Sequence, residues 1–224
     1  MKYEEHFKES AHKRENLWKS IGNLYTDVVG NLINPAFMGG PRWPSLRQAH
    51  IGISVNQGTI IATDGLSDPY DDYDTNEENQ AYNGLGLELY LVTHNNLEDI
   101  PAIISSWELN MLTQVSSTAA SNPNLINMLN DYQYLSMTIN GQSLPEGYVN
   151  ENGSGGVLLG LPNPLVPAQL ELSIEHISLV NIVLLKPSEL QYIMDNGEKG
   201  RLEVADELIS HGFTSVMSQR PSVK

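Results

Sequence analysis

The first candidates for chemistry are acidic side chains in one polar stretch of the chain. Asp72, Asp74 and Asn76 have the spacing of the first three ligands of an EF-hand calcium loop. That loop also needs Gly at its sixth position and a bidentate Glu at its twelfth, where this chain has Glu77 and Asn83. The pattern therefore predicts a solvated acidic loop and not an EF-hand, and it leaves open weak calcium binding by clustered carboxylates.

The histidines and glycine motifs do not form a catalytic pattern. Gly84-x-Gly86 is followed by strand residues and not by a third glycine and a helix, so it is not a dinucleotide fingerprint. Gly153-Ser-Gly155 lacks the strand-to-helix elbow of a hydrolase serine. The histidines lie far apart, without HExxH spacing: His6, His12, His50, His94, His176 and His211. These patterns predict no cofactor and no metal site, and a metal-dependent hydrolase using the acidic loop remains the weakest alternative.

Two carboxylate pairs could in principle do acid–base work. They are Asp64 with Asp68 and Glu171 with Glu175. Nothing in the sequence raises either pair above a surface or structural position. Asp side chains near turns bond neighbouring main-chain amides, so we expect Asp64 and Asp68 to cap a turn.

Composition limits the class of partner. The chain has 12 basic and 27 acidic residues, a formal net charge of −15. No basic stripe is present to displace counterions from phosphates, which argues against nucleic acid and anionic membranes as partners. An acidic surface would speed encounter with a basic protein. The absence of cysteine excludes disulfides, thiolate metal sites and a cysteine nucleophile.

Location is predicted from the first residues. The start of the chain is charged where a signal peptide needs an apolar core, and the longest nearly apolar run, Ile177 to Leu185, is half a membrane span. We therefore expect a cytoplasmic protein.

Two strands must position the acidic loop, which we define as Ser67–Gln80. The β-branched run from Ile60 ends at Asp64-Gly65, a pair suited to a turn. After the loop, leucines alternate from Leu85 to Leu91, so they share one face, while Glu88 on the other face must be solvated or paired. We expect these two strands to be neighbours in one sheet.

The remaining elements predict an α+β fold, a mixed β-sheet with helices packed against it. One apolar stripe predicts an N-terminal helix, with a frayed, charged first dozen residues. Residues 1–44, this helix and a connector, precede a single compact unit at 45–224. Helices are predicted at 4–33, 97–120, 188–195 and 199–211. Gly197 and Gly212 are expected to cap the C-terminal ends of the last two helices. Strands are predicted at 49–55, 59–63, 83–93, 132–139, 157–161, 174–185 and 213–217.

Several motifs together resemble the suppressor of fused (SUFU) domain family, and the resemblance covers residues 45 to 223. The two glycine motifs are Gly65-Leu-Ser-Asp68 and Gly84-Leu-Gly-Leu-Glu-Leu89. The later matches are the helix around Trp107, the strand Ile177 to Leu185 running into Lys186-Pro-Ser-Glu-Leu190, where the family's capping Thr is absent, and the end of the chain with Arg220.

The resemblance implies a non-catalytic protein-binding module with a SUFU-like fold. Bacterial single-domain members resemble immunity proteins that neutralise a toxin, so we expect a basic toxin domain as partner; the alternative is an adaptor that binds an extended peptide at a sheet edge. In the family's eukaryotic adaptor a tyrosine matched by Tyr70 lies near the peptide groove, whereas Gln80 replaces an acidic residue. The predicted partner-binding residues are Asp68, Tyr70, Asp71, Asp72, Asp74, Glu77 and Glu78.

Overall fold

One mixed sheet forms the frame of the structure, a computed structural model that describes residues 2–30, 35–45 and 47–224. Its strands are β1 (Asn23–Leu24), β2 (Val29–Gly30), β3 (Ala49–Val55), β4 (Gly58–Asp64), β5 (Leu87–Thr93), β6 (Leu135–Asn140), β7 (Ser154–Leu159), β8 (Gln169–Glu171) and β9 (His176–Leu185). In the described residues the strand order is β1-β3-β4-β5-β9-β7-β6, with β2 paired to β3 and β8 paired to β9. Since β5 and β9 are parallel and β3 and β4 antiparallel, the mixed sheet of the predicted α+β class is confirmed.

Five α-helices pack on this sheet in the described part of the chain. They are α1 (Tyr3–Ile21), α2 (Ile100–Ile104), α3 (Trp107–Ser121), α4 (Leu125–Tyr132) and α5 (Pro187–Ser210). Short 3-10 helices cover Pro35–Met38 and Glu77–Ala81. None of the helices in the described ranges combines the length and apolar character needed to cross a bilayer.

The predicted pairing around the acidic loop is confirmed. β4 and β5 run antiparallel with Ile60 opposite Val92. Leu87, Leu89 and Leu91 share one face of β5 and pack in one apolar cluster with α3, while Tyr90 on the other face packs with the side chain of Trp18 from α1. Both faces of β5 are therefore covered, and the loop leaves from a fully buried pair of strands.

The N-terminal helix is shorter than the sequence predicts, and its first turns are packed against the rest of the chain. It ends at Ile21, and the chain then forms β1 and β2 along the edge of β3. Gly22 explains the end, because a Cβ there would lie 2.4 Å from the Ser54 carbonyl oxygen. The helix predicted at 4–33 is confirmed over 4–21 and wrong over 22–30, and residues 31–33 lie outside the described residues. The predicted fraying of the first dozen residues is also wrong, since the helix begins at Tyr3 and its His6 and Ser10 are buried.

The other helices and strands follow the predictions with local differences. The predicted helix 97–120 is two helices, because the Ser106 hydroxyl accepts the Leu109 amide and starts α3. The two predicted C-terminal helices are one element with non-helical backbone at Gly197, φ 59°. Its end is a Schellman cap, with Phe213 N–H donating to Leu208.

Three short elements were missed or misassigned. α4 begins at Leu125, where the sequence predicted no element, and β8 was likewise not expected. The predicted strand 213–217 is wrong: in the described residues Val216 makes a single parallel bridge to Thr93. A three-residue strand and a single bridge are too short for hydrophobic periodicity to show.

Residues from the segment before residue 45 contact the sheet directly. Arg14 of α1 bonds Asp64 at the end of β4, and Trp18 is 1% exposed against β5. The division at residues 44 and 45 stays a prediction, and these contacts show only that α1 helps to build the core.

Candidate functional site

A buried ion-pair network lies at the base of the acidic loop. We call Arg14, Arg47, Asp64, Asp68 and Glu88 the base network. Arg14, 1% exposed, donates from Nε to Asp64 (2.8 Å) and from Nη2 to Asp68 (2.5 Å). Arg47 also bonds both aspartates, at 2.5 Å to Asp64 and 3.1 Å to Asp68. Two guanidiniums from separate segments therefore hold the two ends of one turn.

Glu88 organises the same turn from the neighbouring strand. One oxygen accepts the main-chain amides of Gly65 and Ser67, both at 3.0 Å, and the Ser67 hydroxyl at 2.7 Å. The other accepts the Thr63 hydroxyl at 2.5 Å. The expectation that Glu88 must be solvated or paired is met by pairing, because its carboxylate is 1% exposed and fully engaged.

The carboxylates of the base network are stabilised in their charged form. Burial by itself would raise the pKa of Asp64. The Arg14 and Arg47 guanidiniums lower it by a larger amount, so the pKa lies below its ordinary value. The pKa of Arg14 is raised, because the attraction of Asp64 and Asp68 outweighs the cost of burial. These groups satisfy one another, which suits a structural anchor.

The positions of Asp64 and Asp68 correct two predictions. Neither side chain caps the turn through main-chain amides; both accept from Arg14 and Arg47, and Asp68 also accepts from the Ser45 hydroxyl. Asp68 is 0% exposed, so it is removed from the predicted contact surface. The sequence could not show this, because Arg14 precedes Asp68 by 54 positions.

The acidic loop is fastened to the start of α1. Tyr73, 7% exposed, packs on the His6 ring with centroids 4.9 Å apart. The Asp74 carboxylate accepts the Tyr3 amide at 3.0 Å, where a negative charge favours the helix N-terminus. The loop is thus a surface segment, as predicted, but one held by side chains at its base and at its middle.

The other predicted acidic residues lie on the surface with different partners. Asp71 bonds Arg42 at 2.7 Å. Asp72 accepts hydrogen bonds from the side-chain amides of Asn79 (2.7 Å) and Asn76 (3.1 Å). Both bonds lower the pKa of Asp72, and the bond from Asn79 has the larger effect. In the described residues the exposed pair at the start of the 3-10 helix makes no ion pair: Glu77 and Glu78.

The carboxylates of this loop do not converge on one point. Both oxygens of Asp72 hold asparagine amides, and Asp74 is directed to Tyr3. Across residues 2–30, 35–45 and 47–224, no group of three His, Asp or Glu side chains is arranged to hold a metal ion. The calcium alternative therefore gains no geometric support.

A groove runs beside the loop, and Tyr70 lines both of its parts. Two adjoining depressions, of about 270 Å³ and about 520 Å³, share Tyr70, Asn79, Leu85 and Pro123. We call the pair the Tyr70 groove. Asp71 and Asp72 border the smaller part. The Tyr70 ring is half-buried. Burial raises the pKa of its hydroxyl, and the nearby negative charge of Asp72 raises it by a smaller amount.

The glycine motif forms one side of the Tyr70 groove. Gly86 has φ 69°, and a Cβ there would meet nothing closer than Ile126 at 3.9 Å, so the space beside its Cα is open to the groove. Its N–H donates to the Asn83 carbonyl and its own carbonyl accepts from the Ser178 N–H. Gly84 serves packing instead, because a Cβ would lie 2.5 Å from the Leu66 carbonyl oxygen. The chain itself therefore fills the space beside Gly84, whereas the space beside Gly86 is open to another molecule.

Sequence reasoning missed the two arginines of the base network. The buried residues of α1 recur every four positions, and the only signal for Arg14 is its place in that series: His6, Ser10, Arg14 and Trp18. Arg47 lies in a connector without periodicity, so nothing near it in sequence predicts its partners.

Solved structures with a similar fold are known. The structure of a Sufu–Fu complex aligns with TM-score 0.54 and 15% identity, covering 97% of this chain and 92% of that chain. The chain has a SUFU-like fold. The crystal structure of Drosophila Suppressor of Fused also aligns, with TM-score 0.41 and 16% identity over 78% of this chain and 39% of that chain. By sequence the chain matches no family model and no curated protein.

The residues that carry the SUFU resemblance are mostly structural in this SUFU-like domain. Asp68 and Glu88 of the two glycine motifs belong to the base network. Near the C-terminus, Arg220 donates both Nη1 and Nη2 to Glu189, at 2.5 and 2.6 Å, with both side chains buried. Tyr70 is the exception, because it faces the groove.

Proposed function

We propose that this chain is a non-catalytic protein-binding module whose contact surface is the acidic loop together with the Tyr70 groove. The observation that carries the proposal is the contrast within one loop. Asp68 is buried in the base network, while Asp72, Glu77 and Glu78 are exposed, and Asp72 borders the Tyr70 groove. A rigid base with an exposed charged rim is an arrangement suited to recognition.

The proposed partner is a basic protein, and more specifically a toxin domain that the chain neutralises as an immunity protein. The net charge of −15 supports a basic partner, because opposite charges accelerate encounter. The Sufu–Fu complex supports a protein as the partner class, since that similar fold was solved in a complex with Fu. A cytoplasmic location belongs to the same proposal.

The absence of catalysis is proposed from how the acidic groups are used. The buried carboxylates of the base network are saturated by guanidinium, hydroxyl and main-chain donors. A general base needs a free lone pair within reach of a substrate proton, which Asp64, Asp68 and Glu88 do not offer.

The second candidate is an adaptor that takes an extended peptide of a regulatory protein in the Tyr70 groove. The open space beside the Gly86 Cα favours it, because an extended segment can approach the chain closely where a side chain is absent. A linear peptide of the partner should then retain the affinity of the whole protein, whereas the immunity hypothesis requires a folded domain.

The experiment starts with the partner recovered from the source cell by co-purification with the tagged chain. The triple variant Asp72→Asn, Glu77→Gln, Glu78→Gln should lower the association rate constant about tenfold at low salt and flatten its salt dependence. The control removes three exposed charges elsewhere, with Glu146→Gln, Glu151→Gln and Glu198→Gln. Equal effects of the two triple variants would reject the loop as the contact surface.

A further inference from the structure

The outer edge of β6 is a second surface with binding groups exposed. In the described residues β6 pairs with β7 on one side and with no strand on the other. Thr138 is exposed and Ser136 is half-buried. An unpaired strand edge presents a row of main-chain donors and acceptors.

The contact of Gln114 with Asn140 shows which residues point to this edge. Asn140 N–H donates to the Gln114 side-chain oxygen at 2.7 Å, and the Gln114 amide nitrogen donates to the Asn140 carbonyl at 3.3 Å. Both main-chain groups of Asn140 therefore face away from β7. Because an antiparallel strand alternates, those of Thr138 and Ser136 face the same way. In the described residues no hydrogen bond satisfies them.

Gln114 occupies the place that a peptide group of a neighbouring strand would take. Its side-chain amide gives one donor and one acceptor to a single residue, as a paired strand does. The pairing stops there, and Thr138 and Ser136 continue the edge. Beside this edge, residues of α3, of β6 and of 152–154 line an open groove of about 580 Å³.

The edge lacks the usual protections against pairing. Strand edges are commonly blocked by charged side chains, proline or a bulge. β6, with the sequence Leu-Ser-Met-Thr-Ile-Asn, has no charge and no proline, and its register with β7 is continuous. The groove is lined by hydroxyl and amide side chains without a charge, among them Thr113, Ser117, Thr118, Thr138 and Asn152.

We propose that the outer edge of β6 binds an extended segment of another protein as an added strand, with the main chain of Ser136 and Thr138 as the hydrogen-bonding groups. The segment is uncharged and rich in Ser, Thr, Asn or Gln, because the groove offers hydroxyls and amides and no counter-charge for an ion. A charged side chain placed there would lose hydration without gaining a partner. This site is separate from the Tyr70 groove and does not depend on the proposed function.

A second copy of the chain is a poorer occupant than a partner segment. Two copies would each bring a net charge of −15, and like charges oppose association. The predicted segment carries no such penalty. Dimer formation through β6 is therefore an outcome of the test that counts against the proposal.

The test uses a displayed library of ten-residue peptides, selected on the full wild-type chain alone and then measured against the variants. Proline removes the outward N–H and is tolerated at an unpaired edge. A selected peptide should bind wild type and Thr138→Ala within twofold and bind Thr138→Pro at least tenfold more weakly. It should also slow hydrogen exchange at the Ser136 and Thr138 amides at least tenfold.

A second variant keeps the test decisive if Thr138→Pro does not fold. Thr118→Arg, on the exposed face of α3, narrows the groove without touching the sheet and should also weaken the peptide at least tenfold. The proposal is overturned if the library yields no binder, if binders are insensitive to both variants, or if amide protection at Thr138 rises with protein concentration in the absence of peptide.

Discussion

Arg14 and Asp68, 54 positions apart, share a hydrogen bond of 2.5 Å with both side chains buried. The contact ties the first helix to the base of the acidic loop. Arg14 also bonds Asp64, at the end of strand β4. One guanidinium therefore joins three parts of the chain, which are α1, β4 and the acidic loop. The shape of the exposed rim therefore depends on a residue far from it in sequence.

Replacing Arg14 should destabilise the fold strongly. Arg14→Ala leaves the buried Asp68 carboxylate without one of its cations, and removing one partner of a buried ion pair costs about 3 to 5 kcal/mol. The free energy of unfolding in urea measures the loss. The control is Lys8→Ala on the same helix, whose pair with Glu4 is 76% and 78% exposed and should cost less than about 0.5 kcal/mol. A loss below about 1 kcal/mol for Arg14→Ala would contradict the structural importance of the network.

The stability of the chain should fall between pH 6.5 and pH 4 because of His50. Burial lowers the pKa of His50 to about 4, and its Nε2 has no partner among the described residues. The unfolded chain takes up the proton near pH 6.5 while the folded chain does not, so stability is full above pH 6.5 and decreases towards pH 4. The shift corresponds to a loss of about 3 kcal/mol.

The variant His50→Leu isolates this contribution. It should flatten the pH dependence of the unfolding free energy in that window, although His6, whose pKa is also lowered by burial, leaves a smaller slope. A direct NMR titration of the His50 imidazole checks the same shift. A midpoint near pH 6.5 in the folded chain would refute this prediction.

Gly22 should tolerate no side chain. In Gly22→Ala the added Cβ would lie 2.4 Å from the Ser54 carbonyl oxygen, so β1 must move away from β3, at a cost of about 1 to 3 kcal/mol. The matched control is Gly30→Ala in the adjoining strand β2, where the nearest atom is 3.9 Å away. Thermal unfolding compares the two variants. Equal melting temperatures would show that the helix ends at Ile21 for another reason.

Hydrophobic alternation was enough to predict the centre of the fold. The leucines of β5 and the strands predicted at 49–55 and 59–63 are placed correctly, because the hydrophobic pattern of a strand is a local signal. The helix prediction failed after Ile21, because Leu24 and Val29 continue the helical spacing while pairing with β3 as strand residues. Tertiary contact, which sequence spacing does not record, decided that segment.

The sequence indicated which acidic residues the loop contains, but not which of them are buried. The exposed acids at positions 71, 72, 77 and 78 lie on the loop surface, as their polarity indicated. Asp68 has the same chemistry but is buried, because the cations that neutralise it come from Arg14 and Arg47. A carboxylate is buried or exposed according to its partners, and those partners are distant in sequence.

The measurement that tests the central claim most directly is the affinity of Tyr70→Ala for the co-purified partner. Tyr70 is the aromatic residue that lines both parts of the groove, so its loss should weaken binding at least thirtyfold, about 2 kcal/mol. The matched control is Tyr132→Ala, a 43% exposed tyrosine on α4 that packs towards Arg201. With both variants folded, we predict a loss for Tyr70→Ala alone; wild-type affinity in Tyr70→Ala would contradict a partner site at this groove.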